Sequence, residues 1–406
     1  MSKIVYLNVP AHGHINPTLP VVEELVQRGE QVLYYNTEEF RPQIERTGAT
    51  FRAYPETTLT STTLADAIHD GNLVNVSVLL LRATEALLPF LLDDLAREAP
   101  DLVLFDSTAL WGKMACNILS LRDASSISTL VLDLPSAAMS PREMLGLLRQ
   151  ALPKVPAILA GRFRLVRRYG PASFPPGDVF PVRGGLSLVF TAREFQPDTP
   201  LIDETFRFVG PSINLQTRGE PFPFDEVTQH PVIYISMGTI HQAQMDFCQQ
   251  CFEAFGNMAA QVIFSVGKHT QIEQLGPIPA NFIVRPSVPQ LEVLQRADAF
   301  ITHGGINSVH EGLYYGVPLV LIPHHIEQLF NARCTKAQGA GIIIDAQMKG
   351  RRILAAALRA AVDILLSEPS YRAGAVKVQQ MLRATGGYKQ AADEIQHYLA
   401  QRVANP

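Results

Sequence analysis

The sequence predicts an α/β protein built from two doubly wound, Rossmann-like domains, and three observations carry that expectation. The chain has 406 residues, too many for one ordinary hydrophobic core. Strand-length apolar runs alternate with segments of helical apolar spacing, the rhythm of parallel βαβ units. That rhythm fails in "NLQTRGEPFPFDEVTQHP", where Pro, Gly and charge take over, and then restarts. Residues 1–213 are therefore expected to form a first domain, 214–230 a linker and 231–383 a second domain. Residues 384–406 are expected to form a last helix packing back on the first.

Taken in order, "KIVYLNV" reads as a strand and "NPTLPVVEELVQRG" as a helix ending at Gly29. "EQVLYYNT" is a strand, "EEFRPQIERTG" a helix and "ATFRAYP" a strand. A long helical region follows to about Glu98. "DLVLFDS" is almost wholly apolar, as a strand covered on both faces would be. Residues 136–181 are less regular, with the basic helical stretch "RFRLVRRYG", and read as a substrate-side excursion. "GGLSLVFTAREFQP" supplies the last strand of this half. The second half repeats the pattern through "PVIYISMGT", "AQVIFSVG", "NFIVRPS", "AFITHGG" and "VPLVLIP", with helices between. Ligands of such sheets bind at the carboxyl ends of the strands.

Composition narrows the function classes. Hydrophobic residues make up 47% and charged residues 18%, as in a folded globular chain rather than a disordered one. The net charge of -4 argues against a nucleic-acid partner, which demands a basic face. Four cysteines are too few for a disulfide framework, and a reducing cytoplasmic setting is expected. Cys248 and Cys251 fall at C-x-x-C spacing inside a helical pattern with no second pair, so they are expected to be buried helix residues. No signal peptide is expected, and no apolar stretch approaches the roughly twenty residues of a membrane-spanning helix.

Two strand ends carry chemistry. In "AFITHGGINSVHEG" a strand stops at His303, two glycines follow and a helix begins near Asn307. Glycine permits close backbone approach, and the unpaired N–H groups of a helix start attract an anion. Asn307 and Ser308 add donors, and Glu311, one turn on, offers a carboxylate to paired hydroxyls such as those of a ribose. "YISMGT" is a second strand ending in small or hydroxyl-bearing residues, Ser236, Gly238 and Thr239, where phosphate could lie. An ordinary capped helix after a glycine turn is the competing account. "PAHGHINPTLP" places His12 and His14 where the first strand ends, and the residues alone do not rank one above the other.

The stretch from "VPQLEVL" through "THGGINSVHEGLYYGVPLVLIPHHIEQ" resembles the signature of UDP-sugar-dependent glycosyltransferases, above all their bacterial macrolide glycosyltransferase-like branch. "PAHGHINPTLP", "LVLFDS" and "FRFVGPS" are also similar to that family's pattern, so the resemblance covers most of the chain and is weakest over 136–181. It implies the GT-B architecture, two such domains facing across a cleft. It also implies inversion at the anomeric carbon, UDP-glucose as donor, and no cofactor or metal. The implied acceptor is an apolar hydroxylated small molecule such as a macrolide, polyphenol or terpenoid. By position, His303, Gly305, Asn307 and Ser308 would hold the diphosphate, with Ser236, Gly238 and Thr239 in the facing turn. Gln290 and Glu311 would bind the ribose, and Glu327 and Gln328 the sugar hydroxyls. Ser287 and Val288 fall at the base position, where the family often has a Trp before "VPQ"; the only Trp here is Trp111. Glu327 stands where many relatives have Asp.

The same resemblance makes His14 the general base and Asp106, at the end of "LVLFD", the group that orients it; His12 is left a packing role. Imidazole titrates near neutrality and suits removal of a proton from an attacking alcohol. The alternatives are a sugar-nucleotide epimerase of the same fold and a non-catalytic nucleotide-sugar-binding protein. A dinucleotide oxidoreductase lacks its strand followed by G-x-G-x-x-G.

Overall fold

The structure is a computed structural model that describes residues 1–55, 59–69, 73–132, 140–174, 181–215, 222–238, 245–268 and 270–401. The chain divides into two compact units. One comprises Met1–Ser212 with Thr385–Pro406, the other Ile213–Ala384.

Unit 1 carries seven strands: β1 Lys3–Leu7, β2 Gln31–Asn36, β3 Thr50–Ala53, β4 Leu102–Asp106, β5 Asp123–Ile127, β6 Ser187–Val189 and β7 Phe206–Phe208. All neighbours pair in parallel, in the order β3-β2-β1-β4-β5-β6-β7. Its helices are α1 His12–Ile15, α2 Leu19–Gln27, α3 Arg41–Glu45, α4 Ser61–His69, α5 Leu73–Glu98, α6 Leu110–Leu119, α7 Pro141–Ala151 and α8 Val155–Tyr169. The apolar runs of β1 and β4 are buried on both faces, which is why they read as continuous rather than alternating.

Unit 2 carries six parallel strands: β8 Val232–Ser236, β9 Gln261–Ser265, β10 Phe282–Arg285, β11 Ala299–Thr302, β12 Leu319–Leu321 and β13 Gly341–Ile343. Their order is β10-β9-β8-β11-β12-β13. With α9 Met245–Phe255, α10 Gln290–Leu294, α11 Ile306–Tyr314, α12 Ile326–Ala337, α13 Ala355–Ser367 and α14 Pro369–Ala384, this unit repeats the winding of the first. Each sheet reverses its winding once, between β1 and β4 and between β8 and β11. A crevice opens at the carboxyl ends of such a pair.

The last helix, α15 Tyr388–Ala400, belongs to unit 1 and packs against α2. Its Ala391, Ala392 and Ile395 are fully buried beside Val21, Val22 and Leu25. Arg28 Nη1 meets Asp393 Oδ1 at 2.6 Å, and the Arg122 guanidinium lies 4.1 Å over the Tyr398 ring.

Three strands escape the sequence reading: β5, β7 and β13. The segment "GGLSLVFTAREFQP" gives β6, which is not the last strand of its sheet, because β7 pairs beyond it. The absence of any apolar stretch near twenty residues also needs correction. Helix α5 has 26 residues, and Val74–Glu98 is long and apolar enough, at a mean hydropathy of 1.5, to pass for a membrane span. Its Leu80, Leu87, Leu91 and Leu95 instead lie in the core of unit 1. Arg82 and Glu85 break the run in sequence while the helix winds them away from that face. All four cysteines are free and buried, and Cys248 and Cys251 sit in the core of unit 2 as expected.

Candidate active site

In unit 1 the chain leaves β1 and forms α1, a single helical turn that carries both His12 and His14. Asn8, fully buried, pins this turn. Its Nδ2 donates to the His14 carbonyl at 3.2 Å and to the Tyr34 hydroxyl at 2.7 Å. Burial raises the Tyr34 pKa, so that hydroxyl keeps its proton. Asp106 ends β4 beside β1, with Leu7 in register with Phe105.

His14 Nδ1 lies 2.9 Å from Asp106 Oδ2. The Asp106 side chain is fully buried, while that of His14 is 22% exposed. The other carboxylate oxygen, Oδ1, accepts from the Thr108 N–H at 2.8 Å and its hydroxyl at 2.5 Å. Ser128 Oγ, just past β5, stands 3.0 Å from the same His14 nitrogen. A carboxylate only accepts, so the imidazole proton belongs on Nδ1, and Nε2 keeps a lone pair. Such a ring can take a proton at Nε2 while Asp106 balances the charge that forms. His12 packs edge-on against Phe40, with ring centroids 4.9 Å apart.

In unit 2 the two strands flanking the winding reversal end in glycine turns. Gly238 follows β8 with φ of +78°, and Gly304 follows β11 with φ of +86°. The His303 ring fills the space between the turns. A Cβ on Gly238 would come within 2.4 Å of His303 Cε1, and one on Gly305 within 2.4 Å of Nε2. Gly305 itself has an ordinary φ of -60° as the cap of α11, so it is glycine because of His303. The two turns are thus cleared for a histidine ring as well as for any ligand.

Helix α11 begins at Ile306, and its half-buried Asn307 and Ser308 lie in the first turn, one residue deeper than expected. Glu311 is buried at 3% exposure, and Gln290 Nε2 donates to its Oε2 at 2.5 Å. Tyr234 of β8 donates its hydroxyl to Gln290 Oε1 at 3.0 Å. Burial, with the Glu311 charge nearby, raises the Tyr234 pKa and keeps that donor protonated. Tyr234, Gln290 and Glu311 therefore form one chain, which brings the two expected ribose ligands together.

Ser287 and Val288 are half-buried in the turn before α10. At the start of α12, Gln328 is buried and its Oε1 accepts from the His324 N–H at 2.9 Å. Glu327 Oε1 accepts from Asn331 Nδ2 at 3.4 Å, and that amide also bonds the Gly304 carbonyl at 3.0 Å. Asn331 thus ties the α12 pair to the glycine turn. Ser236 is buried at the end of β8, and Thr239 lies outside the described residues. Among the described residues, no three His, Cys, Asp or Glu side chains gather as a metal-binding set.

Ser128, Thr108, Tyr234 and Asn331 were not singled out from the sequence. Ser128 and Tyr234 had one available signal, a polar side chain in or just past a strand beside a winding reversal.

A family model described as UDP-glucoronosyl and UDP-glucosyl transferase matches residues 220–384. The uncharacterised UDP-glucosyltransferase YojK of Bacillus subtilis is 34% identical over 99% of this chain and 99% of its own. NDP-glycosyltransferase YjiC of the same organism is 33% identical over 98% and 97%. The crystal structure of CalG4, the calicheamicin glycosyltransferase, aligns over 100% of both chains with a TM-score of 0.78 and 26% identity. Two parallel Rossmann-like sheets with these relatives give the GT-B fold, and the activity is glycosyl transfer rather than epimerisation or passive binding. The chain belongs to the UDP-glucoronosyl and UDP-glucosyl transferase family, in its bacterial macrolide-type branch.

Proposed function

We propose that the protein transfers glucose from UDP-glucose, with inversion, to a hydroxyl of an apolar small-molecule natural product such as a macrolide, polyphenol or terpenoid. The single observation that carries the reading is the His14–Asp106 contact of 2.9 Å, with Ser128 at 3.0 Å on the same nitrogen. A sugar-nucleotide-binding protein without an acceptor has no use for an oriented, part-exposed base.

In this reading His14 Nε2 takes the acceptor's proton as its oxygen attacks the anomeric carbon. The bond to the diphosphate oxygen breaks, and the leaving group gains negative charge. The N-terminal N–H groups of α11, with His303, Asn307, Ser308 and Thr239, stabilise that charge. The Glu311 carboxylate accepts from the ribose hydroxyls beside the Gln290 amide, and the Glu327 carboxylate accepts from the sugar hydroxyls beside the Gln328 amide. A single displacement by an activated hydroxyl inverts the carbon. The acceptor assignment draws on a neighbour named for calicheamicin and on the macrolide-type pattern of the sequence.

No divalent ion or cofactor takes part in the proposed reaction, because helix-end N–H groups and neutral side chains meet the diphosphate charge. The reaction is placed in the cytoplasm, where the four free thiols stay reduced.

The test measures UDP release and product formation with a panel of hydroxylated aglycones, using UDP-glucose and TDP-glucose side by side. Ser287 in the position of a stacking Trp makes the base comparison informative. Acceptor-dependent release with a β-linked product from an α-linked donor supports the reading, and release equal with and without any aglycone sinks it. Activity lost on exhaustive chelation and restored by magnesium or manganese would overturn the metal-free part.

A further inference from the structure

Helices α7 and α8, which lie in the stretch read from the sequence as a substrate-side excursion, expose an apolar stripe to solvent. Among the described residues twelve large apolar side chains are exposed, and Leu145, Leu148, Leu152, Val155, Leu159 and Phe163 are six of them. They recur every three or four residues, which places them along one side of a helix. The two helices follow one another without an intervening loop. A single tight turn, Leu152–Lys154, joins them with helical dihedrals at Leu152, Lys154 and Val155, so the stripe runs across the junction. Leu152, Leu159 and Phe163 are 65%, 59% and 64% exposed.

Helix α8 already has a core-facing side. Leu165 is buried in the core of unit 1, with Ile158, Val166 and Tyr169 beside it. Gly161 sits so close to α5 that a Cβ there would touch Leu81 at 3.4 Å. The exposed stripe is therefore a second apolar face, beyond what packing onto α5 requires.

The charge around it is one-sided. Residues 141–169 hold seven basic side chains and one acidic, in a chain whose net charge is -4. Arg164 pairs with Glu85, and Arg162 stacks on Phe174. Arg149 and Arg167 are exposed and form no ion pair among the described residues. A second copy of the chain would set one basic face against another. An anionic bilayer surface supplies hydrocarbon for the leucines and phosphate for the arginines together.

We propose that the exposed face of α7 and α8 docks this protein on the surface of a bilayer containing anionic phospholipid. Leu152, Leu159 and Phe163 enter the headgroup–acyl boundary, and Arg149 and Arg167 lie among the phosphates. Nothing spans the membrane in this arrangement. Apolar acceptors partition into the same layer, so docking would raise their concentration beside the enzyme.

The test is co-sedimentation of the full chain, without donor or acceptor, with vesicles of phosphatidylcholine alone or mixed equally with phosphatidylglycerol. Binding to the anionic vesicles is expected to be at least about tenfold tighter and to weaken with added salt. Leu152→Glu with Leu159→Glu should abolish it, and Arg149→Glu with Arg167→Glu should remove the preference for anionic lipid. Phe163→Trp gives a second readout that does not depend on the glutamate variants folding, since its emission should shift to the blue with vesicles. Trp111, the only native Trp, is fully buried and would contribute little change. Absence of binding by the parent, equal binding to both vesicles, or an unshifted Phe163→Trp spectrum would overturn the proposal. So would a dimer in sedimentation equilibrium that the Leu152→Glu, Leu159→Glu variant converts to monomer. Because no sugar is transferred in these measurements, failure of the glucosyl-transfer reading would leave their outcome unaffected.

Discussion

The two winding reversals, one in each unit, share a topology and differ in how they hold their histidine. In unit 1, after β1, His14 is held by side chains: Asp106 and Ser128 at Nδ1, and Asn8 at the backbone carbonyl. In unit 2, after β11, His303 Nδ1 lies 3.3 Å from the neighbouring Thr302 hydroxyl, and its ring packs against Gly238 and Gly305, which bear no Cβ to oppose it. A group that takes up a proton needs partners that fix its tautomer and balance its charge. A group that helps hold an anion needs N–H groups nearby and room for the ligand's oxygens. The same winding reversal thus carries a histidine on a buried carboxylate in one unit and a histidine against glycine turns in the other.

The largest effect should separate the two crevices outright. His14→Ala is expected to lower turnover by about a hundred- to ten-thousand-fold, the usual worth of a general base. Calorimetric titration with UDP should show affinity within a few fold of the parent. Turnover preserved in this variant would break the comparison at its first term.

A second separation concerns acid stability. His310, buried in α11 of unit 2, has its pKa lowered to about 3 by burial. The unfolded chain takes up a proton there below 6.5, but the folded chain does so only near 3, so stability falls as pH drops through that window. At about pH 5 the loss comes to about 2 kcal/mol, or roughly thirtyfold in the folding equilibrium. Hydrogen exchange of β8 and β11 at that pH should quicken more than that of β1 and β4, and His310→Gln should reduce the difference. Equal quickening in both units would remove His310 as the cause.

Gly305→Ala sharpens the account of unit 2. Its backbone dihedrals accept alanine, so the only strain is a methyl 2.4 Å from His303 Nε2. The ring must move, and donor KM should rise about tenfold, the cost of one strong hydrogen bond. Acceptor KM should stay as it was. An unchanged donor KM would mean the His303 position does not matter to the nucleotide.

The smallest effect expected is that of Ser128→Ala, about a fivefold fall in kcat from one neutral hydrogen bond. The pH–rate profile should change shape along with the rate, since the hydroxyl touches the titrating ring. A loss of thermal stability with an unaltered profile would assign Ser128 to packing alone.

Much of this was legible before the structure, and the illegible parts share a cause. β1, β4, β8 and β11 are apolar runs, and parallel strands buried on both faces advertise themselves. β5, "DASSI", is equally buried, yet its interior positions are serines, and Ser125 Oγ bonds Ser187 Oγ of β6 at 3.1 Å. Hydrophobicity cannot find a strand stabilised that way. Missing β5 also meant missing Ser128, which that strand delivers to His14. Helix α1 is four residues long, shorter than the repeat a periodicity needs, so His14 looked like a loop residue. Choosing His14 over His12 rested on family resemblance. The chain Tyr234–Gln290–Glu311 joins residues from β8, α10 and α11, and only the fold brings them together.

The return of α15 to unit 1 has a consequence for anyone recombining these proteins. Unit 1 is not a contiguous stretch of sequence, since Thr385–Pro406 completes it after unit 2 has ended. A chimera that joins the front half of one relative to the back half of another imports a foreign α15 against its own α2. The mismatch falls where Ala391, Ala392 and Ile395 fill the native core and where Arg28 meets Asp393. Grafting Ile213–Ala384 as an insert, with both flanks kept native, exchanges unit 2 while leaving that seam intact. The position of two crossover points, not one, is what makes exchange of unit 2 in this chain an insertion problem.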